Sequence, residues 1–185
     1  MQSAHRLVSL ALLALACRPA GRGVPDLTLF DGIITKEVVA AGYRPSVPLE
    51  FTVHADDSMR AYQSDYVFPR TRSAQRYTVF ITVAKGGRFL DSATYVTRYA
   101  DTRRDEPDCG EECLLGRFPR IGKRAMQQVF GLGPDGADWG LTFTTSDGRY
   151  DVRIILSSLV PEGVRTPDFD MYATAQRISD LYDRR

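Results

Sequence analysis

The chain has 185 residues, with 24 Lys and Arg against 23 Asp and Glu, a formal net charge of +1. That length suits one domain with an ordinary hydrophobic core. The near-neutral charge lacks the basic footprint that a phosphate backbone requires, so nucleic acid is not an expected partner.

The first segment carries a cation at Arg6, an apolar run from Leu7 to Ala16 and then Cys17. The run is too short for a bilayer core, which takes about 20 residues. A basic start, a short apolar core and small residues at its end make a cleavable signal peptide, so residues 1–16 are expected to be removed. The stretch Leu13-Ala14-Leu15-Ala16-Cys17 resembles the lipobox of bacterial lipoproteins. It departs from the usual pattern at Ala14, where that class most often has Leu. The resemblance implies a mature N-terminus at Cys17 with acyl chains, palmitate among them, holding the protein to a membrane. Ala14-Leu15-Ala16 also fits the A-x-A site of ordinary signal peptidase, which would leave Cys17 as a free N-terminal thiol. Arg18, not Asp, follows Cys17. By the same resemblance this favours the outer membrane, with the domain facing the periplasm. Residues 17–25 are the lipidated N-terminus and a tether, rich in Pro and Gly and without periodicity. Its eight residues after Cys17 reach at most about 29 Å. Arg18 and Arg22 can lie on anionic headgroups.

Residues 26–185 read as a single globular domain. Residues 32–42 are ambiguous. Leu49, Phe51 and Val53 alternate with Glu50, Thr52 and His54, as in a strand with one face in the core. Tyr62, Tyr66 and Phe68 form an aromatic stretch ahead of Pro69, Arg70 and Arg72. It reads either as a buried satellite cluster or as a surface for a protein or glycan partner. Tyr77, Val79, Ile81 and Val83 alternate with Thr78, Phe80, Thr82 and Ala84, and Lys85-Gly86-Gly87 is expected to join residues 76–84 to 88–99 in a hairpin.

Six carboxylates between Asp101 and Glu112 read as a solvated loop; calcium ligation is the alternative, without the EF-hand order. In an exported protein Cys109 and Cys113 are expected to form a disulfide, which leaves Cys17 as the odd cysteine. So short a loop gains only about 2 kcal/mol from the bridge. No metal site is expected, since a tetrahedral zinc would need two further soft ligands and the mature chain has one His.

Arg117, Arg120, Lys123 and Arg124 precede or join a predicted helix over 120–130, with Ile121, Ala125, Met126, Val129 and Phe130 on its stripe and Gly131 as its cap. Their charges read as the helix's outer face, or as a docking face for an acidic partner or lipid. Gly131 to Gly136 is a Gly-rich loop without the Lys of a phosphate-binding motif. Ser146-Asp147-Gly148 joins strands 138–145 and 149–157. Thr166-Pro167 opens a C-terminal helix striped by Phe169, Tyr172, Ala175, Ile178, Leu181 and Tyr182.

These elements make an α+β fold, an antiparallel sheet of about five or more strands with one or two packed helices, one of them C-terminal. A two-sheet β-sandwich is the alternative. No nucleophile–base motif, cofactor motif or phosphate loop is present. The expected function is a non-catalytic binding or assembly lipoprotein of the cell envelope. The alternative is an envelope hydrolase that works through carboxylates, with His54 as base.

Overall fold

Alternation of apolar and polar residues produces six strands: β1 (Leu49–Ala55), β2 (Met59–Phe68), β3 (Gln75–Lys85), β4 (Arg124–Gly133), β5 (Gly136–Thr144) and β6 (Tyr150–Ser158). The structure, a computed structural model, describes residues 25–43, 49–68, 75–96, 118–133, 136–158 and 169–185. All six strands belong to one antiparallel sheet in the order β1-β2-β3-β6-β5-β4. The sheet is thus two three-stranded meanders, β1β2β3 and β4β5β6, sewn together along the β3–β6 seam. At the seam Val79 faces Leu156, Ile81 faces Ile154 and Val83 faces Val152.

Those side chains share the core face. A row across it runs Tyr62, Ile81, Ile154, Leu141, each no more than 1% exposed. Burying a side chain of this size contributes about 1.5–3 kcal/mol. Helical segments from both ends of the chain cover this face. A 3-10 helix, Leu27–Gly32, is capped by Asp26, whose carboxylate accepts the Thr28 N–H at 2.9 Å. Helix α1 (Lys36–Ala40) is capped by Thr35. Helix α3 (Met171–Asp183) buries Met171, Thr174, Ala175, Ile178 and Ser179. Phe30 stacks on Tyr182 at 5.5 Å and meets Tyr150 edge-on at 5.2 Å. Tyr43 stacks on Tyr66 at 4.6 Å and packs against Phe169 at 4.7 Å.

The α+β reading, the antiparallel sheet and the C-terminal helix agree with the expectation, as does the hairpin through Ser146-Asp147-Gly148. Four local readings change. Residues 124–133 form strand β4, not a helix, because their backbone pairs in antiparallel register with β5, Ala125 opposite Phe143 and Gln127 opposite Leu141. Gly131 therefore caps nothing, and the Gly-rich stretch after it is the β4–β5 connection, with Gly133 opposite Gly136. Lys85-Gly86-Gly87 does turn, but into a short helix α2 (residues 92–96), not a returning strand. The edge of β3 that a hairpin partner would take is filled by β6. Residues 32–42 resolve into the end of the 3-10 helix and α1. The last helix begins at Met171 with Asp170 as cap. Phe169 is held extended by its bridge to Tyr43, and the Asp170 N–H donates to the Gly42 carbonyl, so the helix starts only beyond them.

Candidate functional site

The face of the sheet away from the core carries polar residues, and its one fully buried carboxylate among the described residues is Asp151. It lies on β6 between Ala84 of β3 and Thr144 of β5, and is fully buried. One carboxylate oxygen accepts the backbone N–H groups of Phe89 and Leu90 at 2.8 and 3.0 Å. The other accepts the Thr144 hydroxyl at 2.8 Å. Arg124 Nε donates to the same hydroxyl at 3.0 Å, and its guanidinium also bonds Ser92. Beside it the Arg153 guanidinium lies over the Phe89 ring at 4.4 Å and donates to Thr142 at 3.2 Å. Burial pulls the Arg153 pKa below its usual value against the opposing attraction of Asp151. This network clamps the segment after β3 across the outer face of the sheet.

A second cluster joins the 3-10 helix to β2. Asp31 receives a two-pronged contact from Arg60 and accepts the Tyr62 hydroxyl at 2.8 Å. The Arg60 contact holds the Asp31 carboxyl below its usual value despite partial desolvation. Burial, with the carboxylate beside it, pushes the Tyr62 phenol up. A third, Asp147 in the β5–β6 turn, is pulled up by burial. That is outweighed by bonds from the Arg149 N–H, Thr145 and the Tyr182 hydroxyl, so its pKa falls. The Tyr182 phenol is pushed up, chiefly by burial.

The sequence-predicted residues distribute as follows. Tyr62 and Tyr66 lie on β2 and are 1% exposed, in the core; they offer no surface for stacking. Arg120 and Lys123 are exposed just before β4, and Arg124 is half-buried in the Asp151 network. The three do not stand along a helix. Phe68's side chain, Arg117, the carboxylates of 101–112, the cysteine pair Cys109–Cys113, and Cys17 with the signal segment lie outside the described residues. His54 is exposed on β1, opposite Ala61 of β2. Among the described residues no three His, Cys, Asp or Glu side chains gather as metal ligands, and no helix is long and apolar enough to cross a membrane. An open concavity of about 540 Å³ runs along the outer face of α3, lined by Tyr172, Gln176, Arg177, Asp180 and Arg184.

Sequence reasoning missed Asp151 and Asp31. Asp151 holds a polar position in the alternation of β6, and only the pairing of β6 with β3 and β5 buries it there, so the sequence carried no local signal for it. No protein-family model, curated protein or solved structure matches the chain.

Proposed function

We propose that this chain is a cell-envelope lipoprotein, lipid-anchored through Cys17, whose domain is a non-catalytic binding or assembly module. The outer membrane is its site and another envelope protein its partner. A glycan platform built on Tyr62 and Tyr66 has no support, because both rings are in the core.

The observation that carries the non-catalytic part is the state of the carboxylates. Each of the well-bonded ones serves the chain beside it. Asp26, Asp56, Asp91 and Asp170 cap helices or turns. Asp31, Asp147 and Asp151 tie separate elements together. General acid–base work needs a carboxylate or imidazole aimed at a substrate, with a neighbour that tunes it. These groups are aimed instead at backbone N–H groups, at hydroxyls and, for Asp31, at the Arg60 guanidinium. Anchoring follows from the Leu13 to Cys17 pattern. Two or three acyl chains hold a protein stably where one binds only marginally.

Expression in a bacterial host tests both parts. The wild-type chain should label with palmitate and sediment with membranes, and Cys17→Ser should lose both properties. A soluble, unlabelled wild-type protein would refute the anchor. For the domain, His54→Gln removes a base while keeping a hydrogen-bond donor, and the envelope phenotype of the gene should be intact. A folded His54→Gln protein that self-associates as the wild type does, yet gives a knockout phenotype, would point back to a hydrolase.

A further inference from the structure

Strand β1 ends the sheet, and among the described residues it pairs with β2 alone. The phase of its hydrogen bonds follows from the turn. Asp56 N–H donates to the Met59 carbonyl at 2.9 Å, so that pair is hydrogen-bonded. Antiparallel pairs alternate. His54, Thr52 and Glu50 therefore exchange their backbone bonds with Ala61, Gln63 and Asp65. The N–H and C=O groups of Phe51, Val53 and Ala55 point outward from the free edge. Such an edge is a template for another strand unless it is guarded by Lys, Pro or a bulge. Residues Leu49–Ala55 contain no Lys, Arg or Pro, and their register with β2 is unbroken. Side chains from Thr52 to Ala55 are exposed, with Val53 at 42%. The opposite edge, β4, differs: it starts with Arg124 and its register shifts between Phe130 and Gly133.

We infer that two copies of this chain join edge to edge through β1, antiparallel about a two-fold axis at Thr52, into one continuous sheet. The strand is self-complementary in that register. Glu50 falls opposite His54 of the second copy and His54 opposite its Glu50, on the outer face. Phe51 falls opposite Val53 and Val53 opposite Phe51, on the core side. Directly opposed residues on one face of antiparallel strands are the pairs that stabilise a sheet, and here both reciprocal pairs match in chemistry, as a two-fold interface requires. A register shifted by one residue would place Glu50 opposite Val53 and lose both matches. The outward backbone groups of Leu49, Phe51, Val53 and Ala55 then find partners, roughly eight bonds in all. This inference uses only the strands and does not rest on the lipid anchor.

The test uses the full chain in mild detergent, with Cys17→Ser carried in parallel so that clustering of acyl chains is separated from edge pairing. Sedimentation velocity should show a concentration-dependent dimer in both. Thr52→Cys in the Cys17→Ser background should give a covalent dimer on mild oxidation, because the two Thr52 positions form a close, non-hydrogen-bonded pair. Ser146→Cys, in the remote β5–β6 turn, should not. His54→Glu sets carboxylate against carboxylate twice and should weaken the dimer about tenfold or more. Adding Glu50→Lys to it should restore wild-type association. A wild-type monomer throughout the micromolar range would overturn the inference. So would equal cross-linking at Thr52 and Ser146, or a dimer that His54→Glu leaves unchanged in a variant whose circular dichroism shows it folded.

Discussion

Replacing Asp151 by Ala should be among the most damaging single changes in the described sheet. The side chain is fully buried and accepts three hydrogen bonds, from Phe89 N–H, Leu90 N–H and the Thr144 hydroxyl. Leu90 and Thr144 are themselves buried, so their donors find no water when the carboxylate goes. Each buried donor left without a partner costs about 1–3 kcal/mol. Phe89 is only half-buried, and its N–H recovers solvent. Removing a desolvated charge returns part of the loss. The net expectation is a destabilisation of about 3 kcal/mol, against the total of about 5–15 kcal/mol that a domain usually has. Asp151→Asn keeps an oxygen for the two backbone amides, and the Thr144 hydroxyl can turn to accept from the new amide. It should cost about 1 kcal/mol. Urea titration followed by the fluorescence of Trp139, the chain's single tryptophan, measures both. Hydrogen exchange at Phe89 and Leu90 should accelerate in the Ala variant well before global unfolding. If Asp151→Ala falls within about 1 kcal/mol of wild type, or if Asn is as harmful as Ala, the clamp has been misread.

Two further expectations concern pH. The Asp31 carboxyl is held below its usual 3.8 by Arg60, and a lowered folded-state value means stability present above the unfolded value and lost as pH falls through the depressed one. Asp31→Asn should therefore cost only about 1 kcal/mol or less near neutrality, given that the carboxylate is 40% exposed, and the gap to wild type should close below pH 3.8; a gap that persists or widens in acid would contradict the pairing. At the other end, burial raises the phenols of Tyr43, Tyr62 and Tyr182 above their usual 10, so the unfolded chain gives up these protons first and stability should fall as pH rises past 10. Phenolate absorbance should then appear together with loss of circular dichroism, and tyrosines that titrate near their usual value in a chain still folded would refute their burial.

The strands with apolar side chains at every second position, β3 and β6, were legible because burial on one face writes period two into the sequence. β2 was not. Its core face carries Arg60, Tyr62, Ser64 and Tyr66, so the alternation is between polar aromatics and small or polar residues, and hydropathy alone hides it. β4 was misread because Ala125 and Val129 are four apart, a spacing that fits one face of a helix and, being even, one face of a strand; Gln127 between them, opposite Leu141 of β5, blurs the distinction. Pairing with β5 decides the matter, and that partner is remote in sequence. The free edge of β1 was half visible. The strand could be read, but its place at the end of the sheet is a property of topology. Asp151 was illegible for the same reason: nothing near it in sequence says that residues 89 and 90 will bring their N–H groups to it.

The Phe30–Tyr182 stack has a consequence for the timing of folding. Phe30 belongs to the first described helical turn and Tyr182 to the last, and both rest on Tyr150 in the sixth strand. A nascent chain that emerges N-terminus first can form the β1β2β3 meander early, but half of its apolar face then waits for the seam with β6 and the lid that α3 supplies. Contacts this distant in sequence slow folding, since the intervening chain must be ordered before they reward it. Throughout that interval the central row around Ile81 has only the 3-10 helix for cover, and its apolar surface stays open to wrong contacts until α3 docks.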